Sequence, residues 1–218
     1  AGSMGSALRF DPKAFTPITI MGSLTNTLVV REGLPVSNLQ ELVAYAKQNP
    51  GRLTYASAGN GSTPHLAGEA LQIAAGIKLV HVPYKGLAPA LADLIGGHVD
   101  MIFDNIGNTL PQIQSGKIKG IAVSDSVRSP ELPNMPTLAE TYPGFYSTTW
   151  FALVAPPGTP STITAKISRE VADILKTPEL IELYKKLAAT SGGQTPDQMQ
   201  IFLEEERVRW DKVIKTAG

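Results

Sequence analysis

The chain has 218 residues, of which 43% are hydrophobic and 17% are charged, and its 19 basic and 19 acidic side chains give zero net charge. It is too apolar to be disordered, and zero net charge removes the electrostatic attraction that drives binding to nucleic acids and anionic membranes. The absence of Cys excludes disulfides, thiolate nucleophiles and zinc–thiolate sites.

The first fifty residues predict a tag remnant, two strands and a helix. Residues 1–6 are typical of what a cleaved tag leaves behind and are left out of the fold. Strands are predicted at Ile18–Met21 and Thr27–Val30, and a helix at Asn38–Gln48. Ser37 is the expected N-cap of that helix, because a glutamine follows three residues later at the capping-box spacing.

From residue 53 onward, strands and helices alternate. Strands are predicted at 53–57, 79–82, 99–103 and 118–124, and helices at 64–75, 88–95 and 110–115. Strands that alternate with helices of this length are joined by crossovers and run in the same direction. The alternation therefore predicts an α/β unit with a mostly parallel sheet.

The alternation of strands and helices stops after residue 124. Four prolines make 126–144 a loop with one short helix, and Ser147–Ala155 is an apolar strand. Three helices follow, at about 160–176, 178–189 and 196–216, and each starts after a Thr-Pro pair. Threonine is expected to cap each helix while proline occupies its first position, where no N–H is needed. Three helices have only one strand to cover here, so either they pack on the preceding α/β unit or a sheet is missing from this region, and we favour the missing sheet.

Two glycines and two hydroxyl residues separate the strand that ends at Ser57 from the helix that Pro64 begins. Gly59 and Gly61 let the backbone turn tightly and approach a ligand closely. The first amides of the following helix carry the positive end of its dipole, so the pattern predicts an anion site made mostly of main chain. The alternative is an ordinary glycine-rich turn with Thr63 as the helix N-cap, and the pattern by itself favours neither.

Two further strand ends carry polar residues. Tyr84 and Lys85 follow one strand, and Asp104 ends the next. Tyr84 has a hydroxyl to donate and Lys85 a charge to pair with an acid, although Lys85 also fits a solvated loop charge. Asp104 either accepts a ligand's hydroxyl or ammonium group or caps the following loop. Because the carboxyl ends of parallel strands meet at one edge, the three segments are expected to converge.

Patterns typical of enzymes are weak. No two of the three His residues have the i, i+4 spacing of a helical zinc site, and no Gly-x-Ser-x-Gly elbow occurs. An enzyme that used the Gly59–Thr63 segment as an oxyanion site would have only Asp104 and His65 as plausible catalytic groups. A module that binds other proteins and no small ligand is a third possibility.

The segments Tyr55–Leu66, Val82–Gly86 and Phe103–Asn105 together resemble a known family, the TctC/Bug-type extracytoplasmic receptors of tripartite tricarboxylate transporters. Further similar segments occur in the same order between about Phe10 and Gly218, namely 10–12, 15–17, 28–30, 128–133, 136–137, 150–156 and the Trp210 helix.

The resemblance implies a periplasmic-binding-protein type II-like α/β fold with two lobes, mostly parallel sheets and a ligand cleft. The family's signal peptide and first βα unit have no counterpart here, so the first lobe is expected to lack its N-terminal strands. The predicted partial first lobe is 7–29 with 121–218, and the complete second lobe is 30–120. Exposed sheet edges in the partial lobe would favour dimerisation.

The resemblance also implies a function: capture of a small mono- or dicarboxylate in the periplasm and its delivery to the permease subunits of the transporter, without a cofactor, a metal or nucleic acid. Tyr84 and Lys85 would shape the wall of the site and Asp104 would face it. One carboxylate would be held by Ser57, Ala58, Gly59, Gly61, Ser62 and Thr63. The alternative remains a small α/β enzyme that uses the Gly59–Thr63 segment as an anion or oxyanion site.

Overall fold

The computed structural model describes residues 11–217, so the predicted tag remnant at 1–6, Phe10 and Gly218 lie outside the described residues. The described chain divides into two units, one formed by residues 11–24 with 150–215 and one formed essentially by residues 25–149. The larger unit contains the predicted second lobe and extends beyond it at both ends. The assignment of the two lobes remains a prediction.

The first strand, β1 (Thr16–Arg31), contributes to both units. The larger unit continues with α1 (Leu39–Gln48), β2 (Thr54–Ser57), α2 (Thr63–Ala75), β3 (Val80–Pro83), α3 (Leu87–Ile95), β4 (Met101–Asn105), α4 (Ile106–Gln114), β5 (Ile118–Val123) and a 3-10 turn at Leu138–Glu140. The remaining elements are β6 (Thr148–Ala155), α5 (Ser161–Ile174), α6 (Pro178–Lys186), β7 (Ala189–Ser191) and α7 (Pro196–Ala217).

The sheet of the larger unit is mixed, with the strand order β3-β2-β4-β1-β5. Strand β2 pairs in parallel with β3 and β4, as the alternation of strands and helices predicts. Strand β1 lies between β4 and β5 and runs antiparallel to both. The predicted α/β fold is therefore confirmed. The parallel pairings are those of β2 with β3 and β4, whereas β5 runs in the same direction as β4 but is separated from it by the antiparallel β1.

Apolar residues on both faces of this sheet form its core. Tyr55 and Phe103 point to the face covered by α1 and α2, whereas Ala56 and Ile102 point to the opposite face, covered by α3. All four are completely buried. Because side chains alternate along a strand, Ser57 lies on the face of Tyr55 and Asp104 lies on the face of Ile102.

Two local predictions need correction. The strands predicted at 18–21 and 27–30 are parts of one continuous strand, β1. The N-cap of α1 is Asn38 rather than Ser37: the Asn38 side chain accepts the Glu41 N–H at 2.9 Å, and the Ser37 N–H donates to the Glu41 carboxylate at 2.7 Å. The cap is shifted by one residue because the Glu41 carboxylate accepts both the Ser37 N–H and, at 2.8 Å, the Asn38 side-chain amide, which orients Asn38 toward the Glu41 N–H.

The Thr-Pro starts of the last three helices behave differently from one another. Thr195 accepts the Gln198 N–H at 3.3 Å, as predicted for a cap. Thr177 is the N-cap of α6, but its hydroxyl donates backward to the Ile174 carbonyl at 2.8 Å. In α5 the N-cap is Pro160, so the proline precedes the helix instead of opening it.

The smaller unit packs its helices on short strands. Gly22–Leu24 of β1 pair with β7, a three-residue strand that the sequence pattern does not predict. Trp150 of β6 packs edge-on against Phe202 of α7 and donates to the buried Glu206 carboxylate at 3.0 Å. Within residues 11–217, none of the helices combines the length and apolarity that crossing a membrane requires.

Candidate functional site

A loop of five residues, 58–62, joins β2 to α2, and we refer to it as the glycine loop. Gly59 has φ of +120° and Gly61 φ of +76°, backbone conformations that residues with a Cβ rarely adopt. The loop closes on itself, because Ser62 donates to the Gly59 carbonyl from its N–H at 3.2 Å and from its hydroxyl at 2.7 Å. The two glycines therefore create a tight turn at the carboxyl end of β2.

Three amides of the glycine loop are already used within the chain. The Gly59 N–H donates to the Ser57 hydroxyl at 3.1 Å, and the Gly61 N–H donates to His65 Nδ1 at 3.0 Å. The third is the Ser62 N–H, which donates to the Gly59 carbonyl. These three amides shape the loop, so they are not available to a ligand in this conformation.

Other amides in the same segment have no such partner. Among residues 11–217, nothing accepts a hydrogen bond from the N–H groups of Ala58, Asn60 or Thr63. Ser62 is the N-cap of α2, but its side chain makes no capping bond. The positive end of the α2 dipole is therefore open at Thr63, beside two further amide donors, which is the arrangement that favours an anion.

Ser57 lies behind the glycine loop. It is completely buried, and its hydroxyl lies 2.6 Å from His81 Nε2 as well as against Gly59. Its carbonyl accepts the Tyr84 N–H at 3.0 Å, which brings the end of β3 against the end of β2. Ser57 thus supports the loop from the protein interior.

Tyr84 and Lys85 lie at the neighbouring strand end. The Tyr84 hydroxyl donates to Asp93 of α3 at 2.6 Å, and this bond to a carboxylate raises the pKa of Tyr84 to about 12. A Cβ on Gly59 would lie 3.4 Å from the Tyr84 carbonyl, so the main chains of the two segments are in contact. Lys85 is exposed. The expected convergence of these two strand ends is therefore present.

Asp104 lies one residue before the end of β4, at the same edge. It is completely buried, and its Oδ1 accepts from the Asn105 N–H at 2.7 Å and from Asn108 Nδ2 at 3.0 Å. Within the described part of the chain its Oδ2 has no partner. Burial raises the pKa of this carboxyl, since the charged form loses its hydration. Because Ala56 pairs with Ile102 in parallel register, Ala58 and Asp104 both lie two residues beyond the same pair.

A cluster of aromatic and polar side chains beneath the loop is not predicted by the sequence motifs. The rings of His65 and His81 stack at a centroid distance of 4.0 Å, and Tyr55 stacks on His81 at 4.9 Å. The Tyr55 hydroxyl bonds to Glu69. A sequence signal does exist, because His65 lies four residues after Gly61, where it can reach back to the turn before the helix.

The geometry does not assemble a catalytic centre from the predicted groups. His65 lies on the Tyr55 face of the sheet and Asp104 follows on the opposite face, so the two groups do not act on one atom. The contact between Ser57 and His81 has a nucleophile–base distance, but Ser57 has no exposed surface. No group of three or more His, Asp or Glu residues able to hold a metal ion occurs in the described chain.

The mixed α/β fold is similar to that of a solved periplasmic binding protein, BugD, with a TM-score of 0.82 and 36% identity over 94% of this chain and 69% of that one. The chain matches the model of the Tripartite tricarboxylate transporter family receptor, TctC, over residues 3–218. The chain belongs to this family, which confirms the resemblance that the motifs indicate.

Relatives of the chain include proteins solved with bound carboxylates. It is 37% identical to R. palustris Rpa4515 with adipate, with a TM-score of 0.88 over 98% of this chain and 72% of that one. It is 30% identical to MatC (Rpa3494) from Rhodopseudomonas palustris with bound malate, with a TM-score of 0.87 over 98% and 74%. Protein BugT of Bordetella pertussis is 34% identical over 93% of this chain and 62% of BugT. The chain spans 62% of the length of BugT and 60% of that of a related UPF0065 protein of Pseudomonas sp. strain P51.

Proposed function

We propose that the protein is a receptor that binds a small organic mono- or dicarboxylate and is not an enzyme. One carboxylate group is held by the unengaged amides of Ala58, Asn60 and Thr63. Ser57, Gly59, Gly61 and Ser62 give the glycine loop its shape, and Tyr84 and Lys85 form the adjoining wall. Asp104 lies two residues beyond the same strand pair as Ala58 and is completely buried, so it supports the site from behind the loop and does not contact the ligand.

The single observation that carries this proposal is the open N-terminus of α2. Three amides without acceptors lie within six residues, next to a helix whose side-chain cap is absent. Hydrogen bonds from amides to a charged acceptor contribute about 1.5–3 kcal/mol each, so a few such bonds replace an arginine. Adipate and malate are carboxylates, and the relatives solved with them support this ligand class.

We further propose that the protein works in the periplasm and passes its ligand to the permease subunits of a tripartite tricarboxylate transporter. Membership of the receptor family supports both statements. The buried Ser57 supports the assignment as a non-enzyme, because a nucleophile must reach its substrate.

Self-association is a separate proposal about this chain. Phe151 and Val154 on β6 are 49% and 43% exposed, and apolar residues on a strand favour contact with another copy. Sedimentation velocity at micromolar concentration would show a dimer if β6 associates with another copy, whereas a monomeric mass contradicts it.

The binding proposal is tested by titrating the ¹⁵N-labelled 218-residue chain with adipate or malate and following the amide resonances. We expect the largest shifts at Ala58, Asn60 and Thr63, because their N–H groups would gain a charged acceptor. The uncharged diamide of adipic acid is the matched control and should leave these signals in place. Shifts confined to other regions, or equal shifts with the diamide, would refute the carboxylate site.

A further inference from the structure

The glycine loop is tied to the protein interior through two stacked imidazole rings. His65 of α2 accepts the Gly61 N–H at Nδ1, and His81 of β3 contacts the Ser57 hydroxyl with Nε2. The two rings lie at an interplanar angle of 21°. The residue before the loop, Ser57, and Gly61 within it are therefore both hydrogen-bonded to this pair of histidines.

The hydrogen bond from Gly61 determines the protonation state of His65. A backbone N–H can only donate, so Nδ1 must carry a lone pair and the neutral ring must carry its proton on Nε2. That Nε2 lies 3.9 Å from Glu69 Oε1, which also accepts hydrogen bonds from Tyr55 and from Gln72. A second proton on the ring would have to occupy Nδ1, where it would meet the Gly61 N–H.

The surroundings of His65 oppose this second proton. The titratable groups that face the ring are His81 from β3, Tyr55 from β2 and Glu69 from α2. Burial lowers the pKa of His65, and the Glu69 carboxylate counteracts only part of that effect. Burial, followed by the neighbouring His65, also lowers the pKa of His81. A protonated His65 would therefore lie against the ring of His81, whose protonation is also disfavoured.

We propose that His65 is a positioning residue of the carboxylate site: in its neutral form it holds the Gly61 amide inward and so keeps the amides of Ala58, Asn60 and Thr63 directed outward. This inference rests on the proposed function. Protonation of His65 replaces an acceptor by a donor, breaks the bond to Gly61 and releases the turn. Carboxylate binding therefore weakens as the pH falls below the pKa values that are usual for histidine.

Two substitutions distinguish the role of the hydrogen-bond acceptor of His65 from the role of its stacked ring. His65→Asn keeps an acceptor at the position of Nδ1, because both atoms are attached to Cγ, and it does not titrate. His65→Phe keeps a ring to stack on His81 but has no acceptor. Adipate affinity is measured by calorimetry for both variants and the wild type between about pH 8 and about pH 4, a range that extends below the ordinary titration of histidine because burial lowers the pKa of His65. Circular dichroism verifies that each variant is folded.

We expect His65→Phe to bind adipate about tenfold or more weakly at pH 8, since one hydrogen bond that orders the loop is lost. His65→Asn should bind within about threefold of the wild type at pH 8. Toward low pH the wild type should lose more affinity than His65→Asn. Protonation of adipate affects both proteins equally, so the difference between their pH profiles reports on His65. Identical pH profiles for wild type and His65→Asn would overturn the proposal.

A direct measurement distinguishes this inference from the proposed function. The ring nitrogens of His65 are observed by ¹⁵N NMR without ligand, and Nδ1 should appear as the unprotonated nitrogen at pH 8. The Gly61 amide resonance should move as His65 titrates. If adipate does not bind but these signals behave as described, the ligand assignment fails and the loop mechanism stands. If Nδ1 carries the proton at pH 8, the positioning role is wrong whatever the ligand.

Discussion

The conformation of Gly61 permits a test that compares two substitutions with the same backbone strain. Gly61 has φ of +76°, and Gly116, which follows α4, has φ of +71°. Placing an Ala at either position costs roughly 1–2 kcal/mol, because its Cβ approaches the neighbouring carbonyl oxygen in this region. For a chain of this size the loss corresponds to a decrease of about 2–8 °C in melting temperature.

Both variants should therefore be destabilised by backbone strain, but only Gly61→Ala should lose binding, because it also disturbs the hydrogen bond from Gly61 to His65. Gly61→Ala shifts the glycine loop and removes at least one hydrogen bond to the carboxylate, so we expect adipate affinity to decrease about tenfold or more. A Cβ at Gly116 would contact nothing within 4 Å, and Gly116→Ala should bind as the wild type does. Thermal unfolding and calorimetric titration measure the two effects separately. Wild-type affinity in a destabilised Gly61→Ala, or equal losses in both variants, would show that the glycine loop does not hold the ligand.

Two further predictions concern stability. Burial raises the pKa of Asp104, so the folded state keeps its proton to a higher pH than the unfolded state does, and wild-type stability falls as the pH rises above about 4. Asp104→Asn should therefore be more stable than the wild type at pH 7 but not at pH 3.5, as measured by urea denaturation; an advantage that does not change with pH would contradict this reasoning. Phe103→Ala, which empties a completely buried position, should lower the free energy of unfolding by about 3–5 kcal/mol. The exposed Phe151→Ala should cost much less, and equal losses for the two would place Phe103 outside the core.

Many elements were predictable because their signals are local. The turn between β2 and α2 is predictable from its own sequence, because the strand end, the two glycines and Pro64 all lie within about ten residues. Helix α7 likewise begins where its Thr-Pro pair indicates. Local signals failed where two neighbouring residues competed for one role, as Ser37 and Asn38 did at the start of α1.

The support of the site was not predictable from local signals. Ser57 contacts His81 because β2 and β3 pair in a register that places Tyr55 opposite His81. Sequence patterns do not specify such a register between separate strands, and a shift of one residue would turn His81 to the other face. The burial of Asp104 also depends on strand pairing. Strand β1 pairs with β4 in antiparallel register and places Thr27 opposite Asp104.

The amino-acid sequence by itself therefore determined the family, the α/β class and the position of the glycine loop, since these depend on residues that are close together in the chain. Only the tertiary structure decided which amides of the loop remain available to a ligand and which are held by the stacked histidines. That division depends on hydrogen bonds whose partners are brought together by strand pairing and by the packing of α2, and the free energy of those contacts exists only in the folded chain.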